Sequence, residues 1–354
     1  MILPLFFLFG CAPKPIVISD KLPDTYVIPS EYVSLSGWEA ENFDEMLLFF
    51  KQNCTTKKAQ KLYGDLCQEA GNVSDAKAFF EASLRPYKLI AQEAPEEGLM
   101  TGYYEPLLQG SLKQSKRYAY PVYAVPDDLV TVKLDTIYPE LKGIRLRGRL
   151  EGTALVPYSS REAMKESNAP VICYVDDKIA LFFLEVQGSG RIELDNSETI
   201  FVGFSNQNGH PYRSIGKYLV AIGEIAQEEI SLQSIRVWFD EHPERVDEIL
   251  NHNPSYVFFQ ERTHSATGSL GLALTPERSI AVDTHYLPLG SMLFMQSRDP
   301  LTLEPIRKTV FAQDTGGAIK GEVRADLFWG FGEEAERKAG KMQEPLELWI
   351  LMPK

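Results

Sequence analysis

Three aspartates near the end of the chain stand where apolar segments meet turns: Asp283 in "SIAVDTHYLPLG", Asp314 in "TVFAQDTGGAIKG" and Asp326 in "VRADLFWGFG". The Gly-Gly step after Asp314 predicts a tight turn, so the strands that carry Asp314 and Asp326 can be neighbours. If "VRADLFWG" is a strand, Asp326 shares a face with Arg324 and Phe328. A single aspartate in such a place is usually a turn residue, but three of them beside aromatic residues indicate carboxylate chemistry.

The Asp-Thr-Gly sequence at Asp314 also occurs around the catalytic aspartates of pepsin-like proteases. Those enzymes need two such aspartates, one from each lobe, that share a proton. The sequence has one copy, and the nearest substitute, at Asp283, has His285 in place of the glycine and lies 31 residues before Asp314. This separation is too short for a second lobe, so the sequence argues against an aspartic protease.

Two further motifs supply side chains that suit a sugar. "TGYYEP" (101–106) contains Thr101, Tyr103 and Tyr104, and "EVQGSGRI" (185–192) contains Gln187, Gly188, Ser189 and Gly190. Tyrosine rings stack on pyranose faces, and amide side chains hydrogen-bond to hydroxyl and N-acetyl groups. The structural alternatives are a strand end with core aromatics for the first motif and a hairpin turn for the second.

The composition excludes some classes of function. The 354 residues leave room for two domains, and the 49 acidic and 36 basic residues give a net charge of -13, which repels nucleic acid. The five histidines form no His-x-x-x-His spacing and the four cysteines no Cys-x-x-Cys spacing, so the sequence predicts no metal site, and nothing in it indicates another cofactor.

The beginning of the chain predicts export. "MILPLFFLFG" (1–10) is a short apolar signal, and Leu8-Phe9-Gly10-Cys11 resembles the bacterial lipobox, which predicts lipidation of Cys11. Ala12 favours transfer to the outer membrane, and residues 11–36 form a Pro-rich tether. The alternative is an ordinary cleaved signal peptide.

Export also bears on the remaining cysteines. An oxidising compartment permits a disulfide between Cys54 and Cys67, which lie in neighbouring helical segments, but the sequence leaves this bond open. Cys173, in the apolar run "PVICYVDD", is predicted to be a buried thiol.

The periodicity of the chain divides it into four regions. Residues 40–90 are predicted to be helical, with Ser74 as an N-cap, and the region from about 99 to 205 is predicted to be all β. Helical periodicity returns in 213–253. Strands then continue to the end, with one short helix around "EEAERKAG". This order predicts a β domain, 105–205, inserted into a larger domain built from both flanks, with a cleft between the two.

Together, "TGYYEP", "EVQGSGRI", "PYRSIGKYL", "NPSYVFF" and "AQDTGGAIKG...RADLFWG" resemble, in this order, the membrane-bound lytic transglycosylase A family over residues 40–350. The last part resembles the 3D domain, named for three aspartates. The resemblance implies a mainly β fold with helices (α+β). In this fold, residues 37–104 and 206–354 form a double-psi β-barrel, which includes the 3D domain at about 262–354. Residues 105–205 form a second β-barrel, and a glycan groove lies between the two barrels.

The resemblance also implies a reaction: cleavage of the β-1,4 bond from N-acetylmuramic acid to N-acetylglucosamine without water, giving 1,6-anhydro ends. The family's catalytic acid, which then acts as base, falls on Asp326, and its neighbouring carboxylate on Asp314. Asp283 and the residues of the two sugar-type motifs would bind the glycan. "GEVRAD" is one residue longer than the family's usual link between the two aspartates.

The expected partners are peptidoglycan strands and the membrane, through a lipid anchor facing the periplasm, with murein synthases or divisome proteins as further candidates. Two other functions stay open: a muramidase-type hydrolase that uses both Asp326 and Asp314, and a glycan-binding envelope lipoprotein without catalysis.

Overall fold

The computed structural model describes residues 16–17, 25–91, 98–141, 144, 146–263 and 266–354. The predicted signal peptide (1–10) and the predicted lipidation site, Cys11, lie outside these ranges, as does part of the predicted tether. Within these ranges, no helix has the length and hydropathy that crossing a membrane requires.

The secondary structure of the described residues is mixed and mostly strand. The helices are α1 (Phe43–Asn53), α2 (Lys57–Tyr63), α3 (Leu66–Glu69), α4 (Ala76–Ser83), α5 (Lys178–Gln187), α6 (Ile215–Ala221), α7 (Leu232–Glu241), α8 (Val246–His252) and α9 (Glu333–Lys341). The strands are β1 (Ile16–Val17), β2 (Tyr26–Pro29), β3 (Leu84–Ile90), β4 (Gly98–Glu105), β5 (Leu107–Ser111), β6 (Tyr120–Tyr123), β7 (Val130–Thr131), β8 (Arg147–Glu151), β9 (Ala154–Val156), β10 (Val171–Val175), β11 (Ser189–Leu194), β12 (Thr199–Gln207), β13 (Val257–Arg262), β14 (Ser279–Val282), β15 (Met292–Arg298), β16 (Pro305–Asp314), β17 (Arg324–Phe331) and β18 (Gln343–Pro353).

The chain divides into two compact units, and the first comprises Met1–Met100, Arg278–Ala325 and Glu344–Lys354. Its sheet has the strand order β1-β2-β3-β18-β15-β16-β14. Helices α1 to α4 pack against this sheet through an apolar core. The largest side chains of that core are Trp38, Phe50, Tyr63, Phe80, Phe294, Phe311 and Trp349.

Strands β17 and β4, which each have residues in both units, continue the strand order of this sheet, and β4 also pairs with β18. The pairings of β18, β15, β16, β14, β17 and β4 therefore close on themselves as a ring.

The second unit comprises Thr101–Glu277 and Asp326–Gln343. It contains a six-stranded sheet in the order β13-β12-β11-β5-β10-β6 and a small sheet in the order β7-β8-β9. Leu184 of α5 packs on the six-stranded sheet, while Phe182 and Phe183 of the same helix pack against α6, α7 and α8. Helix α5 thus joins two apolar cores.

Most of the predicted helices are confirmed: α1, α6, α7, α8 and α9 lie where the periodicity placed them, and the α+β class is confirmed. The prediction of a helical region up to residue 90 is wrong at β3, which begins directly after α4. The N-cap of α4 is Asp75, not Ser74, because the Asp75 carboxylate accepts a hydrogen bond from the Ala78 N–H at 3.0 Å.

The prediction of an all-β region from 99 to 205 is wrong at α5. Asp177 starts this helix because its Oδ1 accepts the N–H groups of Ile179 and Ala180, at 2.8 and 2.9 Å. Gly188 ends it with a φ of +80°, a conformation that glycine adopts without strain. The segment before the Gly-Ser-Gly sequence is therefore a helix, and the hairpin-turn alternative is wrong as well.

The structure shows which cysteines form a disulfide and which is a free thiol. Cys54, at the end of α1, and Cys67, in α3, form a disulfide with 5.4 Å between their Cα atoms. Cys173 is a buried free thiol on β10, as predicted, and burial raises the pKa of that thiol to about 12.

Candidate active site

Two of the three aspartates stand at the carboxyl ends of parallel neighbouring strands in the first unit. Strands β14 and β16 are parallel, with Ser279 opposite Phe311 and Ala281 opposite Asp314. Asp283 follows the last residue of β14, and Asp314 is the last residue of β16. Side chains at this end of parallel strands commonly form ligand sites.

Asp283 is 8% exposed and its carboxylate is engaged by the loop that follows β16. Its Oδ2 accepts the N–H of Gly321 at 3.2 Å, and its Oδ1 accepts the N–H of His285 at 3.1 Å. The Lys320 ammonium lies 3.7 Å from Oδ1. Asp283 therefore fixes the segment that connects Asp314 to Asp326.

Asp314 is half-buried, and the residue before it, Gln313, takes part in a buried hydrogen bond. Ser279 Oγ donates to Gln313 Oε1 at 2.6 Å, which joins β14 to β16 next to Asp314. Gly316 begins the predicted turn, in which its carbonyl accepts the Ile319 N–H at 3.1 Å. The prediction that the strands of Asp314 and Asp326 are neighbours is wrong, because β14 and not β17 is next to β16 in the strand order.

Asp326 lies on β17, which alternates as the sequence predicted. Ala325, Leu327 and Trp329 are buried on one face, with exposures of 0%, 0% and 7%. Asp326 is half-buried on the other face, which it shares with Phe328. The Phe328 ring lies 5.2 Å from the ring of Tyr103, measured between centroids. Asp326 therefore stands on a strand face beside an aromatic pair.

The structure separates the two tyrosines of the first sugar-type motif. Successive side chains of β4 point to opposite faces, so Thr101 and Tyr103 share the face that meets Phe328. Gly102 and Tyr104 belong to the other face, where a Cβ on Gly102 would lie 2.7 Å from Trp329 Nε1. Tyr104 thus faces away from the aromatic pair beside Asp326.

The second sugar-type motif spans the end of α5 and the start of β11. Gln187 Oε1 accepts the N–H of Tyr104 at 3.2 Å, which directs the amide NH2 group away from β4. Gln187 and Ser189 are both half-buried. Gly190 packs against the helix, since a Cβ there would lie 2.3 Å from Leu184 Cδ1 and 3.0 Å from the carbonyl oxygen of Pro106.

Among the described residues, no group of three or more His, Cys, Asp or Glu side chains is arranged to hold a metal ion.

Comparison with known proteins identifies the family. Residues 99–260 match the MltA specific insert domain and residues 278–352 match the 3D domain. A crystal structure of MltA from Neisseria gonorrhoeae, in a monoclinic form, is 33% identical in sequence, covers 97% of this chain and 98% of that chain, and has a TM-score of 0.80. This chain belongs to the MltA family.

Two further comparisons, both with MltA of Escherichia coli, are informative. The membrane-bound lytic murein transglycosylase A of Escherichia coli K12 is 32% identical over 259 residues, which are 71% of this chain and 64% of that protein. The match thus spans a little less than two thirds of the E. coli protein. A crystal structure of E. coli MltA with bound chitohexaose is 26% identical, covers 88% of this chain and 86% of that chain, and has a TM-score of 0.66.

The structure of this MltA-family chain adds charged residues that the sequence analysis missed. Glu105 is 1% exposed, and its carboxylate accepts Arg191 Nε at 2.7 Å and the Ala266 N–H at 2.9 Å. The Arg191 guanidinium lies over the ring of Phe331, the last residue of β17, at 3.8 Å. The signal was present in the sequence, since one sugar-type motif contains the acid Glu105 and the other contains the base Arg191.

A second buried ion pair fixes α5. Arg161 is bidentate to Glu185, at 3.0 and 2.6 Å, and also donates to the carbonyl oxygens of Asn253 and Ser255. The Val257 N–H donates to Glu185 at 3.2 Å. The "NPSYVFF" segment, which begins at Asn253, therefore holds the helix that presents Gln187.

Proposed function

We propose that this protein is a peptidoglycan lytic transglycosylase. Its membership of the MltA family supports this activity, because curated members of that family are named lytic murein transglycosylases. The observation that carries the proposal is the position of Asp326, half-buried on β17 beside the aromatic pair of Phe328 and Tyr103. The chitohexaose bound by E. coli MltA supports a glycan as the ligand class.

The proposed reaction uses Asp326 as acid and then as base. The protonated carboxyl gives its proton to the glycosidic oxygen between N-acetylmuramic acid and N-acetylglucosamine, and the bond breaks through an oxocarbenium-like state. The resulting carboxylate takes the proton of the muramoyl 6-hydroxyl, whose oxygen attacks C1. The product is a 1,6-anhydro ring, and the carboxyl group is regenerated.

The other predicted residues have supporting roles in this proposal. Asp314 supplies a second carboxylate that stabilises positive charge at C1, and Asp283 holds the loop between the two aspartates through its contacts with Gly321 and Lys320. Tyr103 offers a ring face to a sugar. Gln187 offers its NH2 group and Ser189 its hydroxyl, with Gly188 and Gly190 shaping the backbone between helix and strand.

The architecture and location implied by the resemblance belong to the proposal as well. The closed ring of strand pairings supports a double-psi β-barrel, and the six-stranded sheet of the second unit supports the inserted barrel. The relatives' description as membrane-bound supports an envelope location with a lipid on Cys11. Outer-membrane attachment and partnership with murein synthases or divisome proteins stay predictions.

The test is digestion of purified peptidoglycan, with products identified by mass spectrometry. We expect anhydro ends from the wild type. Asp326→Asn should lower the cleavage rate by about 10³-fold or more, and Asp314→Asn by about 10- to 100-fold, because the first removes the proton donor and the second a charge. Asp240→Asn, at an exposed position of α7, is the matched control and should cleave at the wild-type rate.

The outcomes distinguish the alternatives. Reducing ends one water heavier would show a hydrolase that uses Asp326 and Asp314 together. Binding of glycan without any cleavage by the wild type would show a binding lipoprotein. Normal cleavage by Asp326→Asn would refute the catalytic assignment.

A further inference from the structure

The second unit contains a small cavity that the proposed reaction does not use. Its volume is about 210 Å³, and it is lined by Tyr104 of β4, by Phe183 of α5, by Arg236 of α7, by Glu336 of α9 and by aliphatic side chains of β5. Because Tyr104 and Tyr103 point to opposite faces of β4, this cavity and the aromatic pair beside Asp326 lie on different faces of that strand.

Two polar groups of the cavity, the Tyr104 hydroxyl and the Glu336 carboxylate, have no hydrogen-bond or ion-pair partner within the part of the chain that the structure describes. Tyr104 is 5% exposed, and its hydroxyl makes no hydrogen bond there; its backbone N–H is the group that contacts Gln187. The Glu336 carboxylate makes neither an ion pair nor a hydrogen bond among the same residues. The Tyr104 hydroxyl and the Glu336 carboxylate belong to side chains that line the cavity, so both can bond to a polar ligand placed there.

The two charges of the cavity have opposite signs and are not bonded to each other. Arg236 donates one N–H to Asp177, the N-cap of α5, and retains further donors in its guanidinium fork. Burial raises the pKa of Glu336, the exposed Glu333 raises it further, and Arg236 opposes both effects. Arg236 is thus close enough to act on Glu336 through its charge.

A ligand that satisfies both charges must carry a cation and an anion of its own. A cavity of about 210 Å³ is smaller than the ~300 Å³ at which sites for drug-sized ligands begin, so it suits a group of amino-acid size rather than a disaccharide. The Phe183 ring and the aliphatic walls suit a short apolar side chain. A free amino acid and the end of a peptide both provide this chemistry.

We propose that this cavity binds a small zwitterionic amino-acid group, with its ammonium at Glu336, its carboxylate at Arg236 and a hydrogen bond from Tyr104. This inference goes beyond the proposed function, because the binding does not require glycan cleavage. A peptidoglycan stem carries such groups, so the same site would let the protein sense the peptide as well as the glycan.

The test is a titration of the full chain, followed by NMR or calorimetry. The probes are D-alanine, L-alanine and D-alanyl-D-alanine, with alaninamide and propionate as analogues that each lack one charge. We expect saturable binding of at least one zwitterion, and binding at least about ten-fold weaker for both analogues, because each leaves a charge of the cavity unpaired. Tighter binding of the dipeptide would identify a peptide end as the source, and tighter binding of alanine a free amino acid.

Variants locate the site. Glu336→Gln should weaken binding of the zwitterion about ten-fold or more, since it removes the partner of the ammonium group. Glu334→Gln is the matched control: it lies on the same helix with a side chain that is 74% exposed, and should bind as the wild type does. Asp326→Asn should also bind normally, so loss of the proposed catalysis leaves this test intact.

Three results would overturn the proposal: no saturable binding of any zwitterion, equal binding of propionate or alaninamide, or unchanged binding by a folded Glu336→Gln variant. The series of probes on the wild type decides the matter even if Glu336→Gln does not fold.

Discussion

At the scale of single residues, the carboxylates of this protein differ in burial. Glu105 and Glu185 are buried, and each is held by an arginine and a backbone N–H. Asp326 is half-buried on a strand face next to aromatic rings. The alternation of side chains along β17 was enough to predict from the sequence that Asp326 and Phe328 share a face. The same alternation, applied to β4, separates Tyr103 from Tyr104, although the family resemblance implies that both bind the glycan.

The ion pair of Glu105 should be a large contribution to the stability of the second unit. Glu105→Ala leaves the Arg191 guanidinium and the Ala266 N–H without their shared acceptor, so we expect the free energy of unfolding to fall by about 3 kcal/mol. Urea titration followed by circular dichroism measures this change.

Glu193→Ala is the control for that measurement. Glu193 is on β11, the strand of Arg191, is exposed, and bonds to Gln109, so its removal should cost less than about 1 kcal/mol. Equal losses in the two variants would show that the buried pair has no special role.

At the scale of elements, the sequence predicted most helices and the C-terminal strands but not α5. Its apolar run, Ile179 to Leu184, is almost continuously hydrophobic because the helix is buried between two cores, and such a run fits a buried strand equally well. The capping aspartate, Asp177, was the available signal. The β3 strand was missed because it follows α4 without a turn residue.

The close packing of α5 on β11 depends on Gly190. In Gly190→Ala the new methyl group would meet Leu184 Cδ1 at 2.3 Å and the fixed carbonyl oxygen of Pro106 at 3.0 Å. We expect a loss of about 1–3 kcal/mol in the free energy of unfolding, together with weaker glycan binding because Gln187 moves with the helix. Thermal unfolding and a glycan titration measure the two effects.

Gly71→Ala provides the comparison, since no atom of the described residues, its chain neighbours apart, lies within 4 Å of a Cβ at that position and its φ is not positive. It should leave both quantities unchanged or raise stability slightly. A Gly190→Ala variant as stable as Gly71→Ala would refute the packing argument.

At the scale of the whole molecule, each compact unit is assembled from separate segments of the chain. The periodicity of the sequence marked 105–205 as an inserted domain. The structure shows that the apolar cores formed by these residues continue into later segments. Phe182 and Phe183 pack on α6, α7 and α8, and Phe259 of β13 belongs to the core of the six-stranded sheet. Such contacts between distant segments leave no local pattern that a periodicity analysis can detect.

This arrangement predicts that residues 105–205 do not fold alone, whereas residues 101–277 do. The shorter fragment lacks β13, which pairs with β12 from Phe201 opposite Arg262 to Gln207 opposite Val257. It also exposes Phe182 and Phe183, because their partners in α6, α7 and α8 are missing. The longer fragment contains every residue of the two cores that α5 joins. We therefore expect a cooperative thermal transition and dispersed amide NMR signals only for 101–277. A cooperative transition in 105–205 would show that the β12–β13 pairing and the helical core are dispensable, and would make the shorter segment the folding unit.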